Sequence, residues 1–213
     1  MRVLVTHHFP LNGSLVGRYS YELASALQQA GHEVRCLVVD TVRDGSEPFP
    51  VRRICCRSGD PTADLDFDIP AFASERQGRQ TFETLSDLQL AAYREALRRL
   101  LDREVDDFDP HMIHAQHIWV QGQLALETGV SYLLSAWGEE LESYAADPRY
   151  RPLADQAAEN AGKILVSNEA MRDRVVERFE STAERTLVVP KLSAETMVEI
   201  YTATYEERFG RAP

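Results

Sequence analysis

The sequence predicts a single doubly wound α/β domain, a mostly parallel sheet of about seven strands with helices on both faces. Three observations carry this. Short apolar, β-rich runs alternate with segments of helical periodicity roughly seven times along the 213 residues. That length is ample for a self-sufficient core. No internal repeat, low-complexity tract or composition break divides the chain.

The first run, "RVLVT" at 2–6, is a short strand. In "VGRYSYELASALQQAG" (16–31), Tyr19, Leu23, Ala26, Leu27 and Ala30 share one helical face, and Gly31 supplies a C-terminal cap. "EVRCLVV" (33–39) and "VRRICC" (51–56) are the second and third strands. Residues 58–80 carry two prolines and no periodicity, so they read as a loop inserted into the domain. Helical spacing resumes from Thr81 to about Glu104, with Phe82, Leu85, Tyr93, Leu97 and Leu101 on the period. Asp109-Pro110 breaks the chain before the fourth strand, "HMIHA" (111–115). A helix over 119–128 leads to the fifth strand, "SYLLSA" (131–136), and two helices joined around Asp147-Pro148 cover 139–161. "KILVS" (163–167) is the sixth strand, and Asn168 caps the helix "EAMRDRVVERF". After the last strand, "TLVVP" (186–190), Ser193 caps a closing helix within 191–213, whose Met197, Tyr201, Tyr205 and Phe209 form one stripe.

The net charge of −11 argues against a nucleic-acid or anionic-membrane surface. No apolar run approaches the ~20 residues of a membrane span, and "MRVLVTHHFP" turns polar too soon for a signal peptide. Three cysteines without a spacing pattern read as reduced core thiols, so the expected location is cytoplasmic.

Ligands of an open parallel sheet bind outside the carboxyl ends of its strands, where the strand order reverses. If the first and fourth strands are neighbours, those ends bring His7, His8 and Phe9 beside His114, Gln116 and His117, and the fifth strand ends in Trp137, Gly138 and Glu139. Each histidine has an equally plain reading as a packing or capping residue. His111, His114 and His117 do not suit a metal, because side chains alternate along an extended strand. In "PLNGSLVGRY" (10–19), Gly13 and Gly17 allow close backbone approach at a helix N-terminus that favours an anion. The spacing is neither G-x-G-x-x-G nor a Walker loop, and an ordinary βα turn is the competing reading. "DLDFD" (64–68) lacks the glycine and closing glutamate of an EF-hand and reads as solvated acids.

Several segments, taken in order, resemble the N-terminal, acceptor-side domain of GT-B glycosyltransferases of the retaining family 4. They are "MRVLVTHHFPLNGSLVGRYSYELASALQQAGHEVRCLV", "FDPHMIHAQHIW", "VSYLLSAWGEEL" and "GKILVSNEAMRDRVVERF". The resemblance covers about residues 1–190, implies a Rossmann-like fold, and makes 191–213 similar to the helix that crosses back onto this domain. The family's Gly-Gly pair is Gly13-Ser14 here, its frequent histidine is Trp137, and its acid is Glu140.

The resemblance implies transfer of a sugar from a nucleotide sugar, without metal or other cofactor. Gly13, Ser14 and Arg18 would lie near the donor diphosphate, where the Ser14 β-carbon would crowd it. His8, His114, His117, Trp137, Gly138 and Glu140 would line the cleft for a small-molecule or glycan acceptor. No catalytic residue is assigned. The family's donor-binding domain has no counterpart in these residues. The expected partner is a donor-domain chain, or a second copy docked on an exposed apolar face. The alternative is a non-catalytic binding or scaffolding subunit that keeps the fold.

Overall fold

The computed structural model describes residues 1–72, 80–190 and 194–210. The strands are β1 (Arg2–His7), β2 (Glu33–Asp40), β3 (Val51–Cys55), β4 (Met112–Gln116), β5 (Tyr132–Ser135), β6 (Ile164–Val166) and β7 (Thr186–Val188). They form one sheet in the order β3-β2-β1-β4-β5-β6-β7. Every pairing is parallel. The order reverses between β1 and β4, which pair from Val3↔Met112 to Thr6↔Ala115.

The helices are α1 (Leu15–Gln29), α2 (Asp87–Phe108), α3 (Gln121–Glu127), α4 (Glu139–Ala146), α5 (Arg151–Asn160), α6 (Glu169–Arg178) and α7 (Ala194–Phe209). Alternation along the strands separates two cores. Val3, Val5, Met112 and Leu133 pack against α1 and α7 through Leu23, Leu27, Met197 and Tyr201. Leu4, Ile113, Ala115 and Leu134 pack on the other face against the remaining helices, through side chains such as Tyr93, Leu124, Ala157 and Val175. The α7 stripe is buried at Met197 and Tyr201 and leaves the core at Phe209. The Ser193 cap lies outside the described residues.

One segment differs from expectation for a local reason. The helix expected from Thr81 is a 3-10 turn at Phe82–Thr84, an extended Leu85, and then α2. Ser86 starts the new helix: its hydroxyl accepts from Gln89 N at 3.2 Å while Gln89 Oε1 accepts from Ser86 N at 3.0 Å. The acids of "DLDFD" are solvent-exposed, as expected, and each also braces a backbone amide. Asp64 accepts from Cys55 N, Asp66 from Gly59 N and Asp68 from Ser58 N. Asn168 caps α6 as expected, accepting from Met171 N at 2.9 Å.

Candidate functional site

The loop between β1 and α1 lies at the switch point. Gly13 has φ +102°, a conformation open to glycine. Ser14 is the N-cap of α1, its hydroxyl accepting from Gly17 N at 2.9 Å. A β-carbon on Gly17 would sit 2.2 Å from the Pro10 carbonyl oxygen and 3.1 Å from that of Leu11. Gly17→Ala therefore forces backbone apart. It is expected to cost about 1–3 kcal/mol, read as a lowered urea midpoint.

Two hollows share Ser14 and Leu15. One, of about 710 Å³, is an open groove lined by Asn12, Gly13, Ser14, Arg18, Tyr21 and Glu22 among others. The other, of about 120 Å³, is walled by Phe9, Phe72, Val16, Trp137 and Glu139. Gly13, Ser14 and Arg18 are thus brought together, with Arg18 exposed and paired to Glu22 at 3.3 Å. The Ser14 side chain turns into the helix cap, where its hydroxyl occupies the Gly17 N–H.

The turn after β5 holds Trp137 at the hollow. Its indole N–H donates to Gln116 Oε1 at 3.0 Å, and its ring meets Tyr19 edge-on at 4.7 Å. Gly138 has φ +107°, and a β-carbon there would meet Met171 Cε at 2.7 Å. Glu140 does not line the cleft: it is fully buried, and its two oxygens accept from Trp137 N at 3.0 Å and Gly138 N at 2.8 Å. Burial raises its pKa to about 7, against the pull of those backbone donors. Glu140 braces the loop that aims Trp137.

The histidines also sit deeper than expected. His8, His114 and His117 are fully buried, as is His7, so none lines an open cleft wall. His8 Nδ1 bonds the Tyr93 hydroxyl at 2.8 Å. His7 stacks on His117 with centroids 5.7 Å apart, and His117 packs on Phe72 at 4.8 Å. His117 has φ +77°, and neither ring nitrogen has a partner. His114 faces the other side of the sheet, bonding Tyr201 Oη at 2.8 Å and Ser135 Oγ at 2.7 Å. His111 turns to Arg2 N at the far end of β4. The three residues at 111, 114 and 117 diverge, and among the described residues no group of three metal-ligating side chains converges.

Burial keeps the inner histidines neutral. The pKa of His7 falls to about 4; those of His8 and His114 fall to about 3. That of His117 falls well below the ordinary value, from burial and then its neighbours His8 and His7.

Phe72 of the hollow, Tyr19 beside the Trp137 ring and Tyr201 beside His114 were not picked out as site residues by sequence. Tyr19 and Tyr201 were visible as core-facing positions of their helices. Phe72, in the aperiodic loop, gave no signal.

The all-parallel, doubly wound sheet with its helices defines a Rossmann-like domain. The chain belongs to the family of glycosyl transferase 4-like domains, which matches residues 16–191. Solved structures share the fold at low identity. A 27–220/406–426 piece of sucrose-phosphate synthase from Thermosynechococcus elongatus is 18% identical, with a TM-score of 0.61 over 96% of this chain and 99% of that one. Against the longer chain of that synthase the TM-score is 0.60 at 14% identity, covering 89% of this chain and 47% of that chain. A UDP-GlcNAc 2-epimerase from Methanocaldococcus jannaschii gives 0.55 at 10% identity, covering 97% and 49%. The chain thus spans about half the length of these larger neighbours. No curated protein matches it. Among the described residues, no helix is long and apolar enough to cross a membrane.

Proposed function

We propose that this domain is the acceptor-binding half of a glycosyltransferase that moves a sugar from a nucleotide-sugar donor. The observation that carries the reading is Trp137, held by Gln116 and Tyr19 in the wall of a hollow that adjoins the glycine loop of α1. An indole face suits the C–H face of a sugar ring, and Gln116 and Tyr19 limit how far it can turn. The wider groove suits the donor diphosphate: Gly13 and Ser14 open the first turn of α1, and Arg18 adds a cation. The reading calls on no metal or other cofactor. On this reading the partner is a donor-domain chain, or a second copy docked on an apolar face, for which Leu15, 78% exposed at the rim of the groove, offers a contact.

A second reading, binding without transfer, draws on Ser14, whose hydroxyl already occupies the Gly17 N–H. Amide and indole NMR separates the two. Free monosaccharides and short glycans are expected to shift the Trp137 indole signal saturably and leave that of buried Trp119 in place. UDP is expected to shift the amides of residues 13–16. Sugar shifts without UDP shifts favour the binding module. If no sugar moves Trp137, the acceptor reading fails.

A further inference from the structure

His114 differs from the other buried histidines. His7 and His8 each leave Nε2 without a partner and His117 leaves both nitrogens, whereas both nitrogens of His114 are bonded. One partner, Ser135, ends β5 two residues before Trp137; the other, Tyr201, belongs to α7.

We propose that Tyr201 is a positioning residue, which acts from α7 through His114 and Ser135 to set the placement of Trp137 in the hollow. The site concerned is the acceptor hollow of the preceding section, and the inference deepens that reading.

The path is continuous on one face of the sheet. His114 and Gln116 alternate onto the side that carries α1 and α7, as do Ser135 and Trp137. Gln116 lies opposite Ser135 in the β4–β5 register, and its Oε1 accepts the Trp137 indole N–H. Tyr19 of α1 lies beside Ser135 and closes the other side of the indole. Tyr19 and Tyr201 are themselves close enough to interact. Glu140 fixes the Trp137 backbone, so the side-chain angle is left to Gln116 and Tyr19.

The chemistry gives the path a direction. A neutral imidazole has one donor nitrogen and one acceptor. The Tyr201 hydroxyl bonds Nδ1 and Ser135 Oγ bonds Nε2, so the tautomer that Tyr201 holds also sets whether Ser135 Oγ accepts or donates there. Without the Tyr201 hydroxyl, buried Nδ1 loses its partner, and the ring gains by moving its proton or rotating. Either change reorients Ser135 between Tyr19 and Gln116.

The test is Tyr201→Phe in the full chain, which removes one oxygen and keeps the ring. Three signals are read: the His114 ¹⁵N imidazole shifts, the Trp137 indole shift, and acrylamide quenching of tryptophan fluorescence, which reports Trp137 because Trp119 is fully buried. The expected result is a changed His114 tautomer pattern, a displaced Trp137 indole signal, and a quenching constant raised by roughly twofold, the scale of a small change in a 1:1 conformer balance. Tyr205→Phe is the control, since Tyr205 meets His111 at the other end of β4, with centroids 5.9 Å apart. It should leave all three signals unchanged.

A folded Tyr201→Phe variant with wild-type His114 and Trp137 signals overturns the proposal. Should that variant not fold, Ser135→Ala breaks the path at its other end. It must then displace the Trp137 indole signal, or the proposal is wrong. Because these signals need no ligand, a wild-type protein that ignores every sugar defeats the acceptor reading alone.

Discussion

Stability is expected to level off near pH 8, to fall progressively below about pH 7, and to collapse as the pH approaches 4. His7, His8 and His114 have folded pKa values of about 4, 3 and 3, against 6.5 for an unfolded histidine. A depressed pKa means that the unfolded chain binds the proton first. Stability is therefore complete above 6.5 and lost progressively as pH falls toward the folded values. At pH 5 each of these residues costs roughly 2 kcal/mol at 1.36 kcal/mol per unit, and His117 adds to the loss. Glu140 works in the opposite sense. Its folded pKa of about 7 lies above its ordinary 4.5, so stability rises as pH falls through 7, by roughly 3 kcal/mol at most. The histidines outnumber it, and a domain with only ~5–15 kcal/mol in hand does not survive the difference far below pH 5. Urea midpoints from pH 4 to 8 provide the measurement. A profile flat from pH 7 to 4.5 would show that these imidazoles are not held neutral by the fold.

The two tryptophans should give opposite phenotypes. Trp119→Ala removes a fully buried ring packed on Phe82 at 4.9 Å and Tyr150 at 4.0 Å. It should cost about 3–5 kcal/mol and leave little folded protein. Trp137 is only partly buried and wedged between Tyr19 and Gln116 at a hollow. Trp137→Ala should cost about 1–2 kcal/mol, keep a cooperative thermal transition, and weaken sugar binding by tenfold or more. The checks are calorimetry and a glycan titration side by side. If Trp137→Ala loses most of its stability while binding per folded molecule is unchanged, the indole belongs to the core and the acceptor reading loses its anchor.

The fold was legible because its signals are local. Period and caps placed every strand and all but one helix boundary within a few residues, and the β1–β4 adjacency follows from the doubly wound pattern. The exception, the start of α2, turned on the Ser86-Gln89 capping box, which a run of apolar residues from Phe82 onward masked. The site was legible in position but not in depth. Sequence put Gly13, Ser14, Arg18 and Trp137 at the switch point, and they do gather around the two hollows. It also put His8, His114, His117 and Glu140 on the cleft wall, and they are buried. Whether a polar side chain at a strand end turns outward or inward depends on what packs above it. Tyr93 and Tyr201 cover His8 and His114 from helices distant in sequence, and two backbone N–H groups draw Glu140 inward.

Thr202 of α7 reaches the sulfur of Met1 at 3.8 Å, so the last described helix rests on the first strand. Closing a loop of that length costs on the order of 5 kcal/mol in chain entropy. A lone contact cannot offset this; a finished surface of β1, β4 and α1 can. The sequence of events in folding follows from that difference. The expected order is that the sheet and its first helix assemble first and α7 settles onto them afterwards, which φ-values in α7 would check. In that order the Tyr201–His114 hydrogen bond is expected to form late, and the neighbourhood of Trp137 to mature after the scaffold that carries it.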